Sequence, residues 1–136
     1  MSARNENYPW LSHYGHYNFF EEKMRQHGIV VSLTTEAQGI YELTRKQGST
    51  IRIFICECYA FGVAEYVETI NKLGPVDAVI INSSWCGYSH DAKRHCRNNR
   101  VGLFTIGEFM GALRHNNFWS YLTDSQKEYF KEQGWL

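Results

Sequence analysis

The pattern of apolar and polar residues changes along the chain, and each change marks a predicted element. Residues 19–27 carry apolar positions at helical spacing between Asn18, a candidate N-cap, and Gly28, which ends the helix. Three short apolar-rich runs typical of strands follow at residues 29–33, 39–44 and 50–58. Residues 46–49 form a hairpin turn between the last two runs. The first half is therefore predicted to be a helix followed by antiparallel strands.

The second half alternates helical and strand patterns. A helical stripe over residues 63–73 ends at Gly74 and Pro75. Residues 77–81 form an almost unbroken apolar run, which is typical of a strand buried on both faces. A helix, a strand and a helix follow at residues 89–99, 101–106 and 107–114. This order predicts a parallel, right-handed crossover unit, and hence an α/β protein: a three-layer α/β/α-type sandwich with a mixed central sheet.

Composition restricts the class of protein and of partner. The chain has 136 residues, of which 43% are hydrophobic and 15% aromatic, so it can bury a core and is not disordered. It carries 14 Lys and Arg against 14 Asp and Glu, so bulk charge would not hold it on nucleic acid, and any basic surface must be local. Membrane-spanning and signal-peptide patterns are lacking, which predicts a cytoplasmic location and no membrane partner.

The same patterns predict the domain organisation. Residues 1–17 form an aromatic and polar leader, and residues 18–114 form the α/β domain. Residues 115–136 form a C-terminal helical tail that is rich in aromatic residues, with Thr123 or Asp124 as its N-cap. We expect the tail to pack on its own domain; the alternative is a docking surface for a homodimer or another protein.

Four features in the region of residues 53–113 carry a family resemblance. They are Glu57-Cys58-Tyr59 at a strand end, the small-residue-rich strand of residues 77–84, the pair Ala92-Lys93 inside a helix, and the strand-turn-helix of residues 101–113. Their order resembles the C-terminal half of Mrr-type members of the restriction-endonuclease-like superfamily, whose motif is PD-(D/E)xK. The resemblance implies a restriction-endonuclease-like core, a Mg²⁺-dependent phosphodiesterase activity on DNA, and a role in repair, restriction or phage defence.

The resemblance also implies a metal site. In such a site two carboxylates at neighbouring strand ends hold Mg²⁺ against the scissile phosphate, and a lysine positions the attacking water. Glu57 and Glu42 are the candidate catalytic residues and metal ligands, because the turn at Gly48 lets their strands pair. Glu22, or Glu21, on the first helix is the candidate third ligand.

The motif is degenerate, which leaves two functions open. Tyr59 occupies the position of the motif lysine, and a phenol carries no positive charge at neutral pH. Lys46 or Lys93 would have to replace it in an active nuclease. The alternative is a catalytically inactive module that binds or assembles through its basic helix or its aromatic tail. In that case Glu57 belongs to a buried salt bridge, and Glu42 is a solvated strand residue paired with Arg45 or Arg52.

One helix supplies the candidate nucleic-acid surface. Residues 90–100 have a local net charge of +3 in a neutral chain. Its candidate phosphate contacts are Lys93, Arg94 and Arg97, joined by Ser84 after the buried strand. The expected partner is DNA or another nucleic acid. The alternative is a solvated helix face whose C-terminal cations suit the helix dipole.

Overall fold

A five-stranded mixed sheet organises residues 16–82 and 86–136, the part of the chain that the computed structural model describes. The elements, in chain order, are α1 (His16–Gln26), β1 (Val30–Ala37), β2 (Ile40–Arg45), β3 (Thr50–Cys56), β4 (Ala60–Phe61), α2 (Val63–Leu73), β5 (Ala78–Ile81), β6 (Gly87–Tyr88), α3 (His90–Asn98), β7 (Gly102–Thr105), α4 (Ile106–Ala112), a 3₁₀ turn (Phe118–Ser120) and α5 (Asp124–Glu132). None of the helices in these ranges combines the length and the apolar character needed to cross a lipid bilayer.

The sheet joins an antiparallel half to a parallel half. Its strand order is β1-β2-β3-β5-β7. The first three strands pair antiparallel, whereas β3, β5 and β7 pair parallel. A separate two-residue ladder joins β4 to β6. The mixed sheet, its antiparallel opening and its parallel crossover unit are therefore confirmed.

Helices cover both faces of the sheet, and each face has its own core. Because successive strand residues point to opposite faces, β3 contributes to both cores. Ile53 and its odd-numbered neighbours pack with residues of α1 and α4, among them Phe20, Met24 and Phe109. Phe54 and Cys56 pack with residues of α2 and α3, among them Tyr66, Ala92 and Cys96. The protein is thus an α/β sandwich.

The element boundaries differ from the sequence prediction in a few places. Helix α2 has the predicted ends, and α3 begins after its N-cap, Ser89, whose hydroxyl accepts a hydrogen bond from the Ala92 N–H. Helix α1 begins three residues earlier than predicted, β1 extends to Ala37, and β3 ends at Cys56 rather than at residue 58. Strands β4 and β6 were not predicted, because two-residue strands have no detectable periodicity.

Arg45, at the end of β2, fastens the β2–β3 hairpin to the end of α4. Its side chain is buried, with 3% of the residue exposed. The guanidinium donates to three main-chain carbonyl oxygens that follow α4, those of Leu113 at 3.1 Å, His115 at 2.6 Å and Asn116 at 3.1 Å. Its Nε also donates to Ser49 Oγ at 3.0 Å. A planar guanidinium can satisfy this set, whereas an ammonium cannot reach all of it.

We predict that Arg45→Met lowers the free energy of unfolding by about 2–3 kcal/mol, because several buried acceptors lose a charged donor. Arg45→Lys should recover only part of this loss. Urea unfolding followed by circular dichroism measures both. The control is Arg25→Met, since Arg25 is largely exposed and 3.6 Å from Glu21, and it should cost no more than about 0.5 kcal/mol. Equal losses in the two Met variants would contradict the role of Arg45.

Candidate functional site

Glu57 is fully buried at the carboxyl edge of the parallel strands. It directly follows the last residue of β3, and no part of it is exposed. Its surroundings are rich in thiols. Burial raises the pKa of Cys56 and of Cys86, that of Cys86 to about 11, and the charge of Glu57 adds to both shifts. Both thiols are therefore neutral at physiological pH, and neither is activated as a nucleophile.

Glu42 lies far from Glu57. It is exposed on β2, and the strand register places it opposite Arg52 on β3. Glu57 is five residues beyond Arg52, which corresponds to about 16 Å along an extended chain. Hydrogen bonds with Glu36 raise the pKa of Arg52, and the charge of Glu42 adds to this shift. Glu42 thus has the position of a solvated strand residue opposite an arginine.

The acidic side chains of α1 also have partners other than Glu57. Glu22 is exposed and accepts a hydrogen bond from Gln26 Nε2 at 3.3 Å. Glu21, rather than Glu22, faces the sheet, where it accepts a hydrogen bond from the Tyr41 hydroxyl at 2.6 Å. Burial, followed by the contact with Glu21, raises the pKa of Tyr41. The helix acid that approaches the sheet is therefore already bound to a neutral phenol.

The remaining predicted catalytic positions do not complete a metal site. Tyr59 is 66% exposed, so its phenol does not share an enclosed pocket with the buried Glu57. Lys46 is exposed in the hairpin turn, and Ser84 lies outside the described residues. Across residues 16–82 and 86–136, no group of three or more His, Cys, Asp and Glu side chains is placed to hold a metal ion. The structure does not bring Glu22, Glu42 and Glu57 together.

Lys93 is inside the protein rather than on the surface of α3. It is 1% exposed, and its Nζ donates to the Leu103 carbonyl oxygen at 2.6 Å. The same nitrogen lies 3.9 Å from the centroid of the Phe104 ring. Burial lowers the pKa of Lys93 to about 7, although the nearby charge of Glu108 acts in the opposite direction. In this position Lys93 cannot contact a phosphate at the surface.

A polar network closes the carboxyl edge of the sheet next to Lys93. The Tyr88 hydroxyl donates to Glu108 Oε1 at 2.6 Å, and Gln126 Nε2 donates to the Tyr88 oxygen at 2.7 Å. Glu108 Oε1 also accepts the Thr105 N–H at 2.9 Å. The network joins β6, α4 and α5, so the C-terminal helix is tied to the strand ends by hydrogen bonds as well as by apolar packing.

Sequence reasoning missed this network. Two capping boxes do have a signature in the sequence, because Thr105 precedes Glu108 by three residues and Thr123 precedes Gln126 by three. Those spacings identify helix starts. They carry no information on the long-range partner, Tyr88, which the two helices share.

The C-terminal end of α3 carries a basic surface, which we call the arginine surface and define as Arg94 and Arg97 of α3 and Arg100, which follows the helix. Arg94 and Arg97 are three positions apart in the helix, which makes them neighbours on its surface, and Arg100 follows the helix C-cap, Asn99. Arg97 Nε donates to the Ser120 carbonyl oxygen at 3.0 Å. The guanidinium carbon of Arg100 lies 5.8 Å from the Trp119 ring centroid, and that of Arg94 lies 4.6 Å from the Trp135 ring centroid.

The arginine surface has one acidic neighbour in its own helix, Asp91, three residues before Arg94, and forms no salt bridge among the described residues. Residues 92–107 and 109–123 contain no Asp or Glu. The salt bridges found among the described residues, Arg25 with Glu21 and Arg52 with Glu36, involve other arginines. None of the three guanidinium groups forms a salt bridge in the part of the chain that is described.

Comparison of the chain with protein-family models, with curated proteins and with solved structures finds no match in any of the three. The function is therefore inferred from the dispersed carboxylates and from the arginine surface.

We predict that Lys93 makes stability depend on pH. Its pKa is about 7 in the folded chain and 10.5 as a free side chain, so between these values the unfolded chain binds a proton that the folded chain has released. Stability from this group therefore rises with pH across that window, by about 1 kcal/mol per pH unit. The difference in unfolding free energy between wild type and Lys93→Met should rise in the same way, because other titrations cancel in it.

Urea unfolding at several pH values between about 7 and 10 measures this difference. The control is Lys72→Met, because Lys72 is exposed at the end of α2 and its removal should shift the curve without changing its slope. A wild-type curve parallel to that of Lys93→Met would contradict a buried lysine with a lowered pKa.

Proposed function

We propose that this chain is a restriction-endonuclease-like domain that binds nucleic acid without cleaving it, and that the arginine surface is where it binds. One observation carries the proposal. Arg94 and Arg97 of α3 and Arg100 just after its C-cap lie close together in the chain, none of them forms a salt bridge among the described residues, and Asp91 is the one acid in residues 90–107. Guanidinium groups without salt bridges are suited to phosphate oxygens, which they bind by charge-assisted hydrogen bonds.

The order and direction of the elements support the restriction-endonuclease-like part of the proposal. Helix α1 precedes three antiparallel strands, and a helix then crosses over to a strand parallel to β3. The resemblance of residues 53–113 to restriction-endonuclease-like proteins includes this order of elements, and it extends to the helix and hairpin before them. Fold alone does not determine activity, so the functional part of the proposal depends on the site.

The dispersed acids favour binding over catalysis. A Mg²⁺ ion needs oxygen ligands at about 2.0–2.1 Å, so two carboxylates that share it must almost touch. Glu42 and Glu57 are about 16 Å apart along the strands. Tyr59 supplies no cation in place of the motif lysine. Mg²⁺-dependent cleavage of DNA is therefore the weaker of the two proposals.

The aromatic tail is engaged within the chain, which favours nucleic acid over a protein or a second copy as the partner. Tyr129 and Phe130 pack against Trp135, with ring centroids 5.7 and 5.1 Å from it, and Phe130 is buried. Tyr129 also stacks on His90 of α3, with 3.8 Å between the ring centroids. These rings already have apolar neighbours, whereas the arginine surface has no ionic partner among the described residues.

We predict measurable binding of nucleic acid that weakens steeply with salt, since each phosphate contact releases counterions. Fluorescence anisotropy with labelled oligonucleotides at several salt concentrations measures the affinity and its salt slope. The double variant Arg94→Gln with Arg97→Gln should lose affinity, and its slope should fall by about 0.7–0.9 per phosphate contact removed.

The matched control is the double variant Lys127→Gln with Lys131→Gln. It removes the same charge from exposed positions of α5, which alternate with Glu128 and Glu132. Equal effects of the two double variants would show that net charge, and not the arginine surface, governs binding.

We further predict no cleavage of plasmid or single-stranded DNA above the level of a protein-free control in Mg²⁺ or Mn²⁺. Gel electrophoresis after prolonged incubation measures this. Cleavage that disappears in Glu42→Gln, a substitution at an exposed position that should leave the fold intact, would restore the catalytic proposal.

A further inference from the structure

We propose that the ligand of the arginine surface is single-stranded nucleic acid, and that one unpaired base stacks on the guanidinium group of Arg100, which Trp119 supports from below. This inference rests on the proposed function and names the class of nucleic acid that the same surface accepts. It follows from two independent observations, the backbone conformation of Arg100 and the fixed position of Trp119.

Arg100 has a backbone conformation that favours glycine. Its φ is 59°, and it is the only residue other than glycine with a positive φ in the described ranges. It follows the C-cap of α3, and the chain closes there with two hydrogen bonds, Arg100 N–H to Arg97 O at 3.1 Å and Val101 N–H to Cys96 O at 2.8 Å. This is a Schellman-type helix end, where glycine is the usual residue.

The helix end does not need the arginine side chain, because both of these hydrogen bonds are made by the main chain. A glycine would adopt the same conformation with less strain. The side chain therefore has to contribute something other than the cap. The Arg100 side chain is exposed and its guanidinium group lies near the Trp119 ring, so we assign its contribution to this contact.

Trp119 is held rigidly beneath Arg100. It lies in the 3₁₀ turn (Phe118–Ser120) and packs, half-buried, against the core formed with α1 and α4. The turn is fixed to α3 by the hydrogen bond from Arg97 to the Ser120 carbonyl oxygen. The guanidinium carbon of Arg100 is 5.8 Å from the ring centroid, within the roughly 6 Å reach of a cation–π contact. The arginine is thus positioned before a ligand arrives.

An exposed guanidinium plane supported in this way is a stacking platform for a base. Bases stack on arginine planes as well as on aromatic rings, and this recognition requires bases that are not paired within a duplex. Arg97 and Arg94 continue from Arg100 at three-residue intervals, so the phosphates of neighbouring nucleotides have cations to contact. A basic track beside a stacking platform is the combination typical of single-strand binding.

The experiment compares four ligands of equal length, about 16 nucleotides, by fluorescence anisotropy: single-stranded DNA, single-stranded RNA, duplex DNA and a single strand with abasic sites. We expect wild type to bind either single strand at least about fivefold more tightly than the duplex or the abasic strand. Comparison of single-stranded DNA with single-stranded RNA shows which of the two the surface binds more tightly.

Arg100→Gly is the decisive variant, because it suits the helix end and should melt at the same temperature as wild type or higher. It should lose at least about fivefold in affinity for single strands and much less for the duplex. Trp119→Ala should show the same selectivity loss, and Trp119→Leu, which also lacks a ring but keeps more apolar volume, should show it if the alanine variant does not fold. Lys127→Gln, which removes one charge on α5, is the control and should keep the preference for single strands.

The outcomes separate this inference from the proposed function. Equal affinity for all four ligands, with Arg100→Gly weakening each of them equally, would overturn base stacking and leave electrostatic binding in place. Binding to none of the ligands would overturn both. A preference for single strands that persists in Arg100→Gly would also overturn the role of Arg100.

Discussion

The burial of Lys93 is the constraint on which the arrangement of α3 depends. Its ammonium group donates to the Leu103 carbonyl oxygen of β7, so one side of the helix must face the sheet. Ala92 and Cys96 share that side and are fully buried. Arg94, one position further along the helix, is then exposed, whereas Arg97, four positions from Lys93, lies beside the buried side and is half-buried against the 3₁₀ turn. The buried lysine thus determines which cations of this helix reach the surface.

Arg94 and Arg97 also hold other parts of the fold in place. Arg97 holds the main chain at Ser120, and Arg94 lies over the ring of Trp135. The C-terminal segment is therefore attached to α3 through two of the groups that we propose to contact phosphate. Each retains guanidinium N–H groups beyond the contact described, because an arginine has five donors. Attachment of the tail and binding of an anion can therefore coexist.

The sequence predicted the elements better than the site, and the reasons are physical. Apolar periodicity identified α2, and an unbroken apolar run identified the buried strand β5, because packing requires those patterns. The position of Glu42 was misjudged although the turn at residues 46–49 was predicted, since a turn that pairs Arg45 with Ser49 also pairs Glu42 with Arg52. Counting from the turn would have separated Glu42 from Glu57. The burial of Lys93 had no such signal, because tertiary contacts alone make it tolerable.

The location of the proposed ligand follows from how the sheet edge is closed. In parallel α/β sheets, ligands usually bind in the crevice beyond the carboxyl ends of the strands. Here that edge is occupied by the chain itself: Glu57 is fully buried there, and Gln126 of α5 reaches the Tyr88 hydroxyl, which is bound to Glu108. Among the described residues, no group of carboxylates at this edge is placed to hold a metal ion. The described chain instead carries three arginines without salt bridges on and just after α3, in a stretch with a single acid, Asp91, and this is where we propose that an anionic ligand binds.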